Sequence, residues 1–172
     1  LHLCDRRQRQ MCIRDRSMSI RLSTAGITLN YAVESVSNTR PVEGYTKVPE
    51  IKSIPEMNPE PETLETTTLE ETEYKTYIDG LKDLGGALSF TANLTKDLVT
   101  AWEAACTAAK TAAESGKATW WCILIPGLEK ALYFTGTPSA LGMPGAEVGD
   151  VLEATLYVTP TGAPQWEAKP TA

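Results

Sequence analysis

Nucleophilic hydrolysis needs an activated hydroxyl or thiol, a base beside it, and a group that orients the base. Residues 18–172 hold no histidine, the single one in the chain being His2, so Ser-His and Cys-His arrangements are missing from that stretch. Its two cysteines, Cys106 and Cys122, stand among apolar neighbours, where a free cysteine behaves as a small buried hydrophobe. Carboxylate pairs occur at Glu60/Glu62, Glu70-Glu71 and Asp79/Asp83. None borders an aromatic-lined segment that would drive two pKa values apart, and a solvated charge run is the plainer reading. The short Cys/His spacing of a zinc site is absent, as is the Asp/Asn-Gly pattern of a calcium loop. No Gly-Lys-Ser/Thr follows Gly80, Gly85-Gly86 or Gly116 to cradle phosphate. Trp102, Trp120 and Trp121 lack the interleaved Lys or Arg of a nucleic-acid platform. The expectation is a protein that is not an enzyme, with no catalytic, cofactor-binding or metal-binding residues and no cofactor.

The elements around these residues read as mainly β. Large apolar residues at 27, 29, 31 and 33 alternate with smaller or polar ones, the period of a half-buried strand. Leu88, Phe90, Ala92 and Leu94 repeat the pattern more clearly, with Ser89, Thr91 and Asn93 between them. Further strands are expected over 118–125, 130–135 and 151–159. The 118–125 run is apolar on both faces, so either the chain buries both sides or another subunit covers one. One helix is predicted over about 97–115, with Leu98, Ala101, Trp102, Ala105, Ala109 and Ala112 at spacings of three and four. Thr95 or Asp97 can cap its start and Gly116 its end. Pro41, Pro49, Pro55, Pro59 and Pro61 make about 40–62 a long Pro/Glu-rich loop or arm. Threonine-rich residues from about Glu62 permit a strand, while Tyr77–Leu81 and Gly85-Gly86 read as turn chemistry. Many strands, one helix and no βαβ alternation predict an antiparallel β-sandwich or barrel with one flanking helix.

The ends and the charge narrow the partners. Met11-Cys12-Ile13-Arg14-Asp15-Arg16 resembles a translated sequencing-adapter end, which makes residues 1–17 a non-native or disordered segment and 18–172 a single domain opening at Met18. The other reading of the same residues is a basic arm that binds nucleic acid. Residues 1–17 carry five arginines and two aspartates, so 18–172 holds −9 against −6 for the whole chain. Such acidity opposes general binding to phosphate backbones. No apolar run nears the roughly 18 residues of a membrane span, no secretory signal follows Met18, and the sparse cysteines fit reduced, cytoplasmic synthesis.

Three stretches then carry a family resemblance. Ile54-Pro55-Glu56-Met57-Asn58-Pro59-Glu60-Pro61-Glu62-Thr63-Leu64-Glu65-Thr66-Thr67-Thr68-Leu69, followed by Tyr77-Ile78-Asp79-Gly80-Leu81-Lys82-Asp83-Leu84-Gly85 and by Leu88-Ser89-Phe90, resembles the major tail-tube proteins of long, non-contractile-tailed (siphovirus-type) phages. The closing Thr159-Pro160-Thr161-Gly162-Ala163-Pro164-Gln165-Trp166 is similar to that family's C-terminus. The resemblance implies a structural virion protein, made in the host cytoplasm and built into the tail as stacked six-membered rings. Its implied partners are further copies of itself, a tape-measure protein, and tail initiator and terminator proteins. DNA passes through the lumen without specific binding, and no membrane is involved. Glu62, Glu65, Glu70, Glu71 and Glu73 are the candidate lumen-facing acids, and Pro55, Pro59, Leu64, Leu69, Trp121 and Ile123 the candidate interface residues. The alternatives are a monomeric β-sandwich binding module, of adhesin or carbohydrate-binding type, and a tube protein of a related injection machine.

Overall fold

The computed structural model describes residues 22–171; the segment 1–17 lies outside them. The chain runs β1 (Thr28–Val33), β2 (Thr46–Val48), β3 (Ile51–Ser53), β4 (Glu60–Glu65), β5 (Tyr77–Asp83), β6 (Leu88–Asn93), α1 (Lys96–Glu114), β7 (Thr119–Leu124), β8 (Lys130–Pro138), β9 (Glu153–Pro160) and β10 (Gln165–Ala168). Eight strands form one antiparallel sheet ordered β2-β1-β7-β8-β9-β6-β3, with β10 also paired to β8. The two ends of this order, β2 and β3, are consecutive in the chain. Only Pro49 and Glu50 separate them, and Glu50 bends the backbone at φ 61°. One kinked strand therefore pairs with β1 before the bend and with β6 after it, and the sheet curls nearly shut into a barrel. Among the described residues the fold is mainly β with one flanking helix, as the patterns predicted.

Alternation explains what fills the barrel. Leu29 and Tyr31 of β1, Trp121 and Ile123 of β7, Phe134 of β8, Leu156 and Val158 of β9, and Leu88 and Phe90 of β6 share one buried cluster. The helix closes it with the predicted stripe: Leu98, Trp102, Ala105, Ala109 and Ala112 are buried. Thr95 caps the first turn, its hydroxyl accepting from Leu98 N at 3.2 Å. Gly116 ends the helix at φ 67°, and the N–H groups of Gly116 and Lys117 return to Ala113 O and Ala112 O, the paired bonds of a Schellman stop. Trp102 and Trp121 meet at 5.6 Å between ring centroids, and their indole N–H groups donate to Ser139 O and Gly136 O.

Two expectations need correction. The 40–62 span is not one loop, because it contains β2, β3 and the start of β4. The prolines fall at breaks between short strands, with Pro61 alone on an unsupported two-stranded ladder, where a missing N–H costs little. Tyr77–Leu81 is strand, not turn. Two residues of β5, Gly80 and Leu81, face the single Glu62 of β4, which is a β-bulge. A Cβ at position 80 would lie 2.9 Å from Glu62 O, so the bulge requires glycine. Trp166, which ends the closing Thr-Pro-Thr-Gly stretch, is about half exposed on β10.

Candidate functional site

The two strands β4 and β5 pair only with each other, forming a separate two-stranded sheet. This hairpin continues the β3–β6 ladder outward, through 54–59 on one side and 84–87 on the other. Residues 61–65, 77–79 and 81–82 are all exposed, so both faces of the hairpin meet solvent. A lone two-stranded ladder is at best marginally stable in water, and its edges offer unpaired backbone groups. It also carries apolar side chains with nothing over them. Leu64 and Ile78 stand opposite one another in register, and Leu69, Tyr74, Tyr77 and Leu81 are exposed with them. Leu69 and Leu81 are 105% and 84% exposed, so neither contributes to the subunit's own packing.

The five candidate acids all lie on this hairpin or its tip, and all are exposed. Glu65 bridges Lys75 at 3.1 Å, and Glu71 accepts from the Thr76 hydroxyl at 3.2 Å. Of the six candidate interface residues, Leu64 and Leu69 are on the hairpin. Pro55 and Pro59 line a shallow apolar cleft of about 380 Å³ at its base, with Ile27, Met57 and Trp166. Trp121 and Ile123 do not belong with them. They are 0% and 3% exposed, enclosed by the subunit's own helix and strands, and leave no surface for a neighbouring copy. The two-faced β7 strand is thus buried on both sides within one chain. Its second face, Cys122 with Ala131 and Tyr133 of β8, is covered by Tyr45 and by the Arg40 guanidinium, 4.3 Å over the Tyr133 ring. Sequence reading missed Ile78, Leu81, Tyr74 and Tyr77; the Tyr-Ile-x-x-Leu spacing on a strand was the available signal.

A second feature unseen in the sequence is Glu34, a buried carboxylate at the end of β1. It accepts from Ala118 N and Asn38 N at 3.0 Å each and from Trp120 Nε1 at 2.8 Å. Burial pushes its pKa up, but these donors and the Lys117 charge outweigh burial and hold it below the ordinary carboxylate range. Lys117 is the one other charged residue lining the cleft beside it. A folded pKa below the unfolded one gives stability that is complete above the unfolded value and is lost as pH falls through the folded value. Glu34→Gln is therefore expected to cost about 1.5–3 kcal/mol at neutral pH, the range for hydrogen bonds to a charged group. The cost should shrink on acidification, as denaturant midpoints followed from neutral to acid pH would register.

The two described thiols are poor nucleophiles. Burial raises the pKa of Cys122 to about 11, and burial with Glu103 raises that of Cys106. Among the described residues no group of three or more His, Cys, Asp or Glu side chains is placed to hold a metal ion, and no helix is long and apolar enough to cross a membrane.

The fold has a solved counterpart. A chain in the cryo-EM structure of the anti-feeding prophage (AFP) baseplate, 6-fold symmetrised, superposes with a TM-score of 0.59 at 12% identity, over 88% of this chain and 98% of that one. At such identity the likeness is one of fold. No family model matches the sequence, and no curated protein matches it.

Proposed function

We propose that this chain is a structural, non-catalytic protein of a phage-type tail, assembling with copies of itself into stacked six-membered rings that form a tube. The observation that carries this reading is the β4–β5 hairpin, a two-stranded ladder with apolar residues on show and no further strand partner within the described residues. Such an element gains a partner when a second copy covers it. The outer edge of β10, paired to β8 on one side, offers a further strand edge for a neighbour, and joining edges between copies removes that liability. The repetition of one heterologous contact closes a ring or propagates a filament. The likeness to a chain of a six-fold baseplate supports tail-type assembly as the setting.

The finer parts follow from the same reading. The rings surround a tape-measure protein, are bounded by initiator and terminator proteins, and reside in the virion tail after synthesis in the host cytoplasm. The exposed Glu62, Glu65, Glu70, Glu71 and Glu73 face a lumen, where like charge keeps passing DNA from sticking. Screening over about 8 Å at physiological salt restricts that effect to residues at the wall itself. The baseplate likeness favours a second reading, a ring protein of a related tail-derived machine, which shares the assembly and differs in what the tube conducts.

Electron microscopy of concentrated residues 18–172 tests the proposal. Annuli of six copies, or tubes, are expected. Particles that stay single at every concentration would return the chain to the class of monomeric binding modules.

A further inference from the structure

Residues 34–45 leave β1, cross the outer face of the sheet and enter β2 at Thr46. Beneath them lie Cys122, Ala131 and Tyr133, each 0% exposed. Above them the surface is open: residues 35–39 are exposed, as are Val42, Glu43 and Gly44. The crossing segment is joined to the body at a few points. Glu34 clasps Ala118, Trp120 and Asn38 at its start. In the middle, Arg40 stacks on Tyr133, and Val42 O accepts from Thr171 N at 3.0 Å. At its end the Tyr45 ring packs on Tyr133, 5.8 Å between centroids, while its hydroxyl donates to Pro41 O within the segment itself.

Two residues within the crossing hold left-handed backbone: Asn38 at φ 60° and Gly44 at φ 80°. Such positions let a short segment turn sharply about fixed ends. The closed arrangement also retains a cost. The Arg40 Nη1 atom is buried with no hydrogen-bond partner among the described residues, a state that swinging outward into water relieves.

We propose that residues 34–45 are a lid, held down by Glu34, Arg40 and Tyr45 and flexing at Asn38 and Gly44, that conceals an apolar face of β7 and β8. The closed lid keeps that face from adhering to other chains. Opening it exposes Cys122, which serves as the reporter. The inference concerns the single subunit and does not depend on ring formation.

The experiment is maleimide labelling of the dilute full chain, with the Cys122 and Cys106 peptides quantified separately by mass spectrometry. Where reclosing outpaces the reagent, the Cys122 rate follows the open population. Gly44→Ala meets no atom within 4 Å and acts through its left-handed backbone alone; it is expected to raise Cys122 labelling about tenfold. Glu34→Gln is expected to raise it at least about tenfold by loosening that hold. In both, Cys106 keeps its wild-type rate. Cys122 staying at its wild-type rate in Gly44→Ala overturns the lid, as does Cys106 rising in step with Cys122. If Glu34→Gln folds and leaves Cys122 unchanged, Glu34 does not hold the lid down.

Discussion

Replacing Leu69 and Leu81 together by aspartate is expected to abolish self-assembly at concentrations where the unaltered chain assembles, while leaving the free subunit's stability within about 0.5 kcal/mol. The two side chains are almost wholly exposed, so the subunit loses no packing when they change. In an assembly where a second copy covers the hairpin, each contributes about 1.5–3 kcal/mol of burial. Losing both, with two charges added to a hairpin already rich in glutamate, raises the concentration needed for assembly by at least about a hundredfold. Sedimentation against concentration reads the assembly, and urea unfolding of the dilute chain reads the subunit. Unchanged assembly would mean that these residues point to water in the tube as they do in the free chain.

Trp121→Ala has the opposite signature. Trp121 lies at the centre of the core, with ring centroids 5.7 Å from Tyr31, 5.6 Å from Trp102 and 6.5 Å from Phe134. Its indole N–H satisfies the buried carbonyl of Gly136 at 2.9 Å. Truncation removes one of the two fully buried tryptophans of the core, leaves a cavity and orphans that carbonyl, a loss of about 3–5 kcal/mol. Against a total of about 5–15 kcal/mol for a domain of this kind, that is a large share. The urea midpoint should fall with the slope little changed. Trp166→Ala, at a half-exposed position on β10, should cost under about 1 kcal/mol. A Trp121→Ala chain that kept its stability and lost only assembly would restore Trp121 to an interface and contradict the core described here.

These contrasts show which residues were legible in the sequence. Strand β6 and helix α1 could be read because each buries one face against one core, and burial on one face leaves a period of two or of three to four; β1 could be read because its large side chains alternate, although Asn30 and Ala32 on its other face are buried too. Thr95 and Gly116 were legible as caps for an equally local reason. Strands β2 and β3 were not: three residues each, they are strands only because β1 and β6 lie beside them, and nothing in Thr46–Ser53 states that pairing. Gly80 looked like a turn because glycine usually marks one, while here it makes room for Glu62 in a bulge. The apolar run at 119–124 announced burial on both faces without saying by what. The answer, α1 on one side and the 34–45 crossing on the other, depends on contacts far apart in the chain. Leu81 was hardest, since an exposed leucine and a core leucine are the same letter; Leu69 was singled out by the family resemblance alone. Glu34 was equally silent, because its partners are two backbone N–H groups and one indole.

The central claim is that the β4–β5 hairpin is an unfinished element completed by another copy of the chain. Amide hydrogen exchange over residues 60–83, measured at increasing subunit concentration, tests it most directly. In dilute solution these amides should exchange fast, as befits an unsupported ladder, while those of β7 and β8 exchange slowly. On concentration the hairpin amides should become protected and the barrel amides should stay as they were. Hairpin exchange that is slow when dilute, or that never slows when concentrated, would contradict the account.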